Sequence, residues 1–147
     1  VPLSDLIAEI HSIIKFKADN AGVRLDIDCP DACFTLYIDE TAIFSALVSI
    51  LENAVEACAS PEQQGIVSWG IHIRHPNIIF TIRDNGKGIE DSEKDKLFDL
   101  FYSDKGNKGT GMGLFIASGS VRQHGGRISV NSEKNKYTEF RITLPLT

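Results

Sequence analysis

Cysteines are few and long apolar runs are missing from this chain of 147 residues. The three cysteines, Cys29, Cys33 and Cys58, form an odd set, and no histidine stands near them at metal-ligand spacing. These features support neither a disulfide framework nor a zinc site, so we interpret the cysteines as reduced thiols of a cytosolic domain. No apolar run approaches transmembrane length and no signal peptide is present, so we expect no membrane span within this stretch.

Basic charge is also in short supply. The formal net charge is −5, whereas sequence-independent binding to nucleic acid or to an anionic membrane requires a basic surface. We therefore expect neither among the direct partners of this domain. Basic residues do cluster locally, at Lys94, Lys96, Lys105 and Lys108. In an acidic protein such a group suggests a small anionic ligand, although a solvated charged loop would look the same.

The overall composition is that of an ordinary globular domain, with 42% hydrophobic and 24% charged residues. A chain of this length fits one domain and can bury a real core, so we treat residues 1–147 as a single unit. The sequence starts with Val-Pro and lacks an initiator methionine. We therefore expect it to be a piece of a longer protein, in which a membrane span could lie elsewhere.

Apolar periodicity predicts about three helices and roughly six strands. The helices are expected at residues 3–19, 40–59 and 113–124, and the strands at residues 23–27, 34–38, 66–75, 77–84, 127–132 and 138–144. Ser4 and Asp39 are the expected caps of the first two helices, and the first two strands are expected to form a hairpin. This content predicts an α+β fold, a two-layer α/β sandwich with one mixed, mostly antiparallel sheet covered by helices.

A glycine-rich stretch from Lys105 to Leu114 leads directly into the third predicted helix. Its glycines stand at positions 106, 109, 111 and 113. A helix N-terminus offers free backbone N–H groups and the positive end of the helix dipole, and glycine lets an anion approach them closely. The stretch therefore suggests a phosphate-binding loop. A flexible connector remains open as the alternative, because the spacing matches neither the P-loop nor the dinucleotide-binding fingerprint.

Asp84 is the expected inward-facing carboxylate of the fourth predicted strand. Ile78, Phe80 and Ile82 share its parity and should face the core, and a carboxylate in that register needs hydrogen-bond donors. The turn that follows contains Gly86 and Gly88. Two interpretations are open: an Asx-turn that closes the strand, or an acceptor for a planar amine on a ligand. We favour the second, because the glycines would permit close approach.

The second predicted helix carries a polar stripe made of Ser49, Glu52, Asn53 and Glu56, spaced at i, i+3, i+4 and i+7. A solvent-facing side is the simplest interpretation. The stripe gains functional meaning only if another element brings a ligand to it.

These segments together resemble the sequence boxes of sensor histidine kinases. Leu51–Ala57 is similar to the N box, Asp84–Gly88 to the G1 box, Phe98 and Phe101 to the F box, and Gly109–Leu114 to the G2 box, all in the family's order. The resemblance spans essentially the whole chain and extends to DNA gyrase, heat-shock chaperones and mismatch-repair ATPases. It implies a catalytic and ATP-binding domain with the Bergerat fold and a lid between the F and G2 boxes. The short lid is most similar to that of nitrogen-regulation-type kinases.

The resemblance also implies roles for individual residues. It makes Asp84 the acceptor for the exocyclic amine of adenine, with Gly86 and Gly88 letting the base lie against the backbone and Ile89 and Phe98 as pocket walls. It makes Asn53 the Mg²⁺ ligand, completed by phosphate oxygens and water. The triphosphate-binding turn would comprise Lys105, Lys108, Gly109, Thr110, Gly111, Met112, Gly113 and Leu114. Among these, Lys105 and Thr110 would reach phosphate oxygens.

Three positions separate this chain from other family patterns. Glu56 stands where many histidine kinases have a lysine or arginine, so lysines of the lid would have to supply the positive charge. Ala57 stands where many have an aromatic residue, which leaves the stacking of adenine open. Ser49 replaces the glutamate that serves as general base in the hydrolytic relatives and in serine kinases. Phosphotransfer to histidine is therefore the better expectation, because imidazole is itself nucleophilic.

An acceptor histidine is not evident in the sequence. His11, His72, His75 and His124 all lack the context of a phosphoacceptor helix. The acceptor is therefore expected in dimerisation helices of the same polypeptide, outside this chain, with a response regulator receiving the phosphate. The alternative function is a nucleotide-binding regulatory or interaction module that performs no phosphotransfer.

Overall fold

The computed structural model describes residues 2–29, 35–98 and 113–146. The elements, in chain order, are α1 (Leu3–Ala21), β1 (Arg24–Asp28), α2 (Glu40–Cys58), β2 (Ile66–Arg74), β3 (Asn77–Asp84), α3 (Asp91–Lys94), α4 (Gly113–Gln123), β4 (Arg127–Glu133) and β5 (Tyr137–Pro145). The five strands form one sheet in the order β1-β2-β3-β5-β4. Strand β1 runs parallel to β2 and every other neighbouring pair is antiparallel, so the predicted mixed, mostly antiparallel sheet is confirmed.

The helices lie on one face of the sheet, which gives the predicted two-layer sandwich. In β3, Ile78, Phe80 and Ile82 are fully buried, while the residues between them point to the other, more exposed face. Helix α1 buries Leu3, Leu6, Ile7, Ile10, Ile14 and Ala18, whose spacing of three and four residues places them on a single side. The apolar side chains that alternate along the strands and those that recur along the helices thus pack into one core.

Helix α2 runs through the centre of that core. It buries eight residues along its length: Ile43, Ala46, Leu47, Ile50, Leu51, Ala54, Val55 and Cys58. We expected no apolar run of transmembrane length, yet α2 is long and apolar enough to cross a membrane by length and composition alone. Its apolar side packs on β2, β3 and the neighbouring helices. The apolar composition is therefore explained by a core position.

The predicted hairpin between residues 23–27 and 34–38 is wrong. Strand β1 pairs in parallel with β2, with Arg24 opposite Ile66, and α2 provides the crossover between them. Of the second segment, Thr35 forms only an isolated bridge to Pro2, and residues 35–38 form no strand. Alternating polarity marks both segments as extended, but it carries no information about the partner strand.

The ends of the helices show which capping predictions hold. Asp39 caps α2, because its Oδ1 accepts a hydrogen bond from the Ala42 N–H at 3.2 Å, as predicted. Ser4 is not a cap: α1 begins at Leu3 after Pro2, and no side chain caps it. Proline fixes its own backbone dihedral and so can start a helix without a side-chain acceptor. Gly22, with φ of +70°, ends α1 in the left-handed region that glycine tolerates.

Helix α3 is an addition to the three predicted helices. It has only four residues, and the Lys94 ammonium fastens it to the end of β4 by donating to the Ser132 carbonyl at 2.8 Å. The predicted hairpins of β2 with β3 and of β4 with β5 are confirmed.

Candidate functional site

Asp84 lies at the end of β3 and is 2% exposed, so the predicted inward-facing carboxylate is confirmed. Its Oδ1 accepts a hydrogen bond from the Gly86 N–H at 2.8 Å. Burial raises the pKa of this carboxyl to about 6, although the Gly86 hydrogen bond and the charge of Arg83 act in the opposite direction. The Asx-turn is therefore present. It uses one oxygen, and a carboxylate has a second that can accept from a ligand.

Gly86 and Gly88 hold the turn after β3 against two other parts of the chain. A Cβ on Gly86 would lie 2.4 Å from the Ala57 carbonyl oxygen at the end of α2. A Cβ on Gly88 would lie 2.2 Å from the Glu133 carbonyl oxygen, and Gly88 also has φ of +69°. The absence of a side chain at both glycines thus lets the turn after β3 pack directly against the backbones of α2 and β4. Their contact with a base stays a prediction.

Two buried hydroxyl groups that the sequence analysis did not single out follow Asp84 across the sheet, one on β5 and one on β4. Thr138 of β5 is the cross-strand partner of Asp84 and is 4% exposed. Its Oγ1 lies 3.0 Å from the Ser132 Oγ. Ser132 donates to the Tyr137 carbonyl and accepts from the Ile89 N–H at 2.8 Å, so Thr138 is the donor of the pair. Thr138 is two residues before Phe140 and four before Ile142, so it faces the same side of β5. This alternation could have identified Thr138 as buried from the sequence.

The predicted pocket walls are Ile89, which directly follows this turn, and Phe98. Ile89 and Phe98 are partly buried against the core. The ring of Phe98 meets Phe140 edge to face, with centroids 6.2 Å apart. A cavity of about 480 Å³ borders the turn on the side of β4, and among the predicted residues that the structure describes only Ile89 lines it. Its charged walls are Glu90, Asp91 and Glu133 against one cation, Lys134, so the described lining has an excess of negative charge.

Asn53 lies on α2, within the predicted polar stripe. Asn53, Ser49 and Glu52 are partly buried, and Glu56 is more exposed. Gly113, the first residue of α4, lies against this stripe: a Cβ placed on it would be 3.9 Å from the Ser49 Oγ. The N-terminus of α4 therefore lies beside the middle of α2, and a ligand bound between them stays a prediction.

Lys17 is a further charged residue at this stripe, and the sequence analysis missed it. Its ammonium lies 3.1 Å from Glu52 Oε2 and 3.1 Å from Glu56 Oε1. Partial burial alone would lower its pKa, but the hydrogen bonds to Glu56 and Glu52 outweigh that and raise it. Lys17 comes from α1, separated from Glu52 by 35 residues, so no local pattern could have revealed the contact.

The predicted phosphate-binding residues are only partly described. Lys105, Lys108, Gly109, Thr110, Gly111 and Met112 lie outside the described residues, as do Phe101 and Cys33. Gly113 and Leu114 form the first turn of α4, with Leu114 partly buried against the core. Within the described part of the chain, no group of three His, Cys, Asp or Glu side chains is arranged to hold a metal ion. Phosphate oxygens and water therefore stay the predicted further ligands of a cation at Asn53.

Two of the four histidines have structural partners. The Trp69 indole N–H donates to His11 Nδ1 at 3.3 Å. His124 Nε2 accepts from the Asp39 N–H at 2.9 Å, and its Nδ1 donates to the Ser120 carbonyl at 2.7 Å. His124 thereby joins the end of α4 to the start of α2.

Comparison with known families gives a match over most of the chain. The model of the family described as "Histidine kinase-, DNA gyrase B-, and HSP90-like ATPase" matches residues 38–147. Sporulation kinase B of Bacillus subtilis is 33% identical over 144 residues, which are 97% of this chain and 32% of that protein. The sensor histidine kinase ZraS of Escherichia coli is 27% identical over 146 residues, or 99% of this chain and 30% of that protein. This chain thus spans about a third of these relatives.

Solved structures show the same fold. The catalytic domain of the histidine kinase ThkA superposes with a TM-score of 0.87 at 24% identity, covering 100% of this chain and 94% of that one. Full-length ShkA, crystallised in complex with AMPPNP, gives a TM-score of 0.87 at 22% identity, covering 100% of this chain and 30% of that one.

Proposed function

Because this chain belongs to the histidine kinase-, DNA gyrase B- and HSP90-like ATPase family, we propose that it is the ATP-binding catalytic domain of a two-component sensor histidine kinase. It binds ATP and transfers the γ-phosphate to a histidine in dimerisation helices of the same polypeptide, outside this chain. The observation that carries the proposal is the buried Asp84 beside a turn that α2, β3 and β4 hold in place. This is an acceptor for an amine, kept away from bulk water.

Asp84 is the proposed adenine-binding residue. Its pKa of about 6 leaves the carboxyl mostly ionised at pH 7, so it can accept a hydrogen bond from the exocyclic amine of the base. The bond from the Gly86 N–H fixes the orientation of the carboxylate before any ligand arrives. The buried hydroxyl groups of Thr138, opposite Asp84 on β5, and of Ser132, opposite Thr138 on β4, are further polar groups on this side of the sheet. Ile89 and Phe98 are proposed as apolar walls of the pocket.

The phosphates are proposed to lie along α2, towards the N-terminus of α4. Asn53 offers the side-chain oxygen that Mg²⁺ prefers, and Mg²⁺, when bound, would neutralise charge on the triphosphate. The first N–H groups of α4 and its dipole favour an anion at Gly113. Lys105, Lys108 and residues 109–112 are proposed to complete the phosphate site. That ShkA was crystallised with AMPPNP supports a nucleoside triphosphate as ligand.

Histidine is the proposed acceptor because the chain carries no general base at the position that hydrolytic relatives use. That position is Ser49, which lies next to Gly113. A serine hydroxyl cannot draw a proton from water or from an alcohol at neutral pH. Imidazole needs no such base. His11 and His124 hold structural hydrogen bonds, which supports an acceptor outside this chain. We further propose a cytoplasmic domain, a homodimeric parent protein and a response regulator as the final acceptor.

Calorimetric titration tests the proposal. Wild type, Asp84→Asn and Asn53→Ala would each be titrated with ATP and with ADP, with and without Mg²⁺. We expect wild type to bind both nucleotides, Asp84→Asn to lose binding, and Asn53→Ala to lose mainly the effect of Mg²⁺. A folded wild type that binds neither nucleotide would refute the proposal and leave an interaction module of the same fold.

A further inference from the structure

The side chain of Asn85 replaces a backbone group where β3 ends. The main-chain N–H of Asn85 donates to the Ile66 carbonyl at 3.2 Å, as the next residue pair of the β2–β3 ladder would. Paired residues of an antiparallel ladder usually exchange two such bonds. Here the Ile66 N–H donates to Asn85 Oδ1 at 2.8 Å, and Asn85 Nδ2 donates to the Gln64 carbonyl at 3.0 Å. The main chain of Asn85 can therefore turn away from β2 directly after Asp84.

The segment that receives these bonds, residues 64–66, is itself held by two other elements. The Gly65 carbonyl accepts from the Arg24 N–H at the start of β1 at 2.9 Å. A Cβ on Gly65 would lie 2.4 Å from the Cys58 carbonyl oxygen, so the segment packs directly on the last residue of α2. Asn85 thus fastens the turn after β3 to a segment that β1 and α2 keep in place.

The orientation of the Asp84 carboxylate depends on this turn. The last torsion of an aspartate side chain has only a broad preference, so hydrogen bonds set the plane of the carboxylate. Asp84 Oδ1 accepts from the Gly86 N–H at 2.8 Å. That N–H belongs to the peptide group between Asn85 and Gly86. A shift of Asn85 would therefore move the donor and rotate the carboxylate with it.

We propose that Asn85 is a positioning residue for adenine recognition: by holding the turn against residues 64–66, it orients the Asp84 carboxylate towards the exocyclic amine of the base. This inference rests on the proposed function, and within it on Asp84 as the adenine-binding residue. Asn85 acts through Asp84 and touches no ligand in this role. The triphosphate plays no part in it.

A purely stabilising role for Asn85 predicts a different result. If Asn85 only secured the end of β3, its removal would lower the free energy of unfolding without changing which base the folded protein prefers. Purine riboside 5′-triphosphate, the deamino analogue, differs from ATP only in carrying hydrogen in place of the exocyclic amine. Since the two ligands share sugar and phosphates, the ratio of their affinities measures the amine contact alone.

The test compares Asn85→Ala with Gln64→Ala. Gln64 Nε2 donates to the Gly22 and Gly65 carbonyls at 2.9 Å and 3.0 Å, so each variant loses two side-chain hydrogen bonds to or from the same segment. Gln64→Ala keeps the main-chain carbonyl to which Asn85 donates. Affinities for ATP and for the deamino analogue are measured by calorimetry, directly or by displacement, at pH 8. Thermal unfolding verifies that each variant is folded at the temperature of the titration.

We expect wild type to bind ATP at least about tenfold more tightly than the deamino analogue, because a hydrogen bond to a carboxylate is among the stronger ones. Asn85→Ala should reduce this preference to about threefold or less, mainly by weakening ATP, since a rotated carboxylate accepts poorly. Gln64→Ala should keep the preference within about twofold of wild type, even if it unfolds at lower temperature. A folded Asn85→Ala with the wild-type preference, or an equal loss of preference in Gln64→Ala, would overturn the inference.

Hydrogen exchange of wild type decides the matter if Asn85→Ala does not fold. When the Asn85 side chain holds the turn, the Gly86 N–H can open only together with the bond from the Ile66 N–H to Asn85. The protection factors of these two amides should then agree within about tenfold. A Gly86 amide that exchanges far faster than that of Ile66 would overturn the inference.

The ligand pair also separates failure of this inference from failure of the proposed function. If folded wild type binds neither ligand, the proposed function fails and the inference fails with it. If wild type binds both equally, the amine contact of Asp84 is refuted, and with it the role of Asn85. If wild type prefers ATP and Asn85→Ala prefers it as strongly, the inference about Asn85 fails alone.

Discussion

Replacing Asp84 by asparagine should stabilise the fold while it destroys nucleotide binding. The carboxyl is 2% exposed, and burial raises its pKa from 3.8 to about 6. A shift of this size means that the ionised form costs the native state about 3 kcal/mol relative to the unfolded chain. Asparagine has the same shape and carries no charge, and its oxygen can still accept from the Gly86 N–H. We therefore expect a gain of up to about 3 kcal/mol at pH 8.

The gain should depend on pH with a definite sign. Native Asp84 keeps its proton up to about pH 6, whereas the carboxyl in the unfolded chain releases it near pH 3.8. Between these values the native state binds more protons, so the wild-type free energy of unfolding falls as pH rises through this window. Asparagine does not titrate. The advantage of Asp84→Asn should therefore be near zero below pH 4, grow towards pH 6 and stay constant above it.

Urea unfolding of both proteins between pH 4 and pH 8 measures this difference. A gain of 3 kcal/mol would raise the melting temperature of a domain of this size by roughly 6–12 °C. Asp91→Asn is the control with the opposite sign, because the hydrogen bond from Lys94 lowers the pKa of Asp91. Its contribution to stability is lost as pH falls. A destabilised Asp84→Asn at pH 8, or an advantage that does not change with pH, would refute the reasoning.

Three further predictions concern the surroundings of the site. Gly86→Ala should lower the free energy of unfolding by at least about 2 kcal/mol in urea, since the new Cβ would lie 2.4 Å from a backbone oxygen. Gly119→Ala is the matched control: its Cβ would have nothing within 4 Å, so it should stabilise α4 by up to about 1 kcal/mol. Asn53→Ala should leave metal-free ADP binding within about twofold of wild type and abolish the gain from Mg²⁺ in calorimetry. His124→Ala should lower the free energy of unfolding by about 0.5–1.5 kcal/mol, since the hydrogen bonds of the imidazole to Asp39 and Ser120 are lost. An unchanged urea midpoint would contradict this.

Local patterns were enough to predict most of the fold. The register of Ile78, Phe80 and Ile82 placed Asp84 in the core because side chains alternate strictly along a strand. Helical periodicity likewise located α1, α2 and α4, and Asp39 was recognised as a cap because it acts within one turn. The family could be recognised because the four boxes stand in the sequence in the family's order, and the family is confirmed.

Tertiary structure alone decided which distant segments meet. The partner of β1 is β2, reached through α2, and no pattern within residues 24–28 specifies that choice. Lys17 reaches Glu52 and Glu56 only because α1 packs beside α2, and Thr138 lies opposite Asp84 only because β5 inserts next to β3. The spacing of apolar residues in the sequence follows from the local backbone geometry of a helix or strand. These contacts depend instead on how whole helices and strands pack around one core. The burial of Asp84 was therefore readable from the chain, whereas its cross-strand partner and the ion pairs beside Asn53 were not.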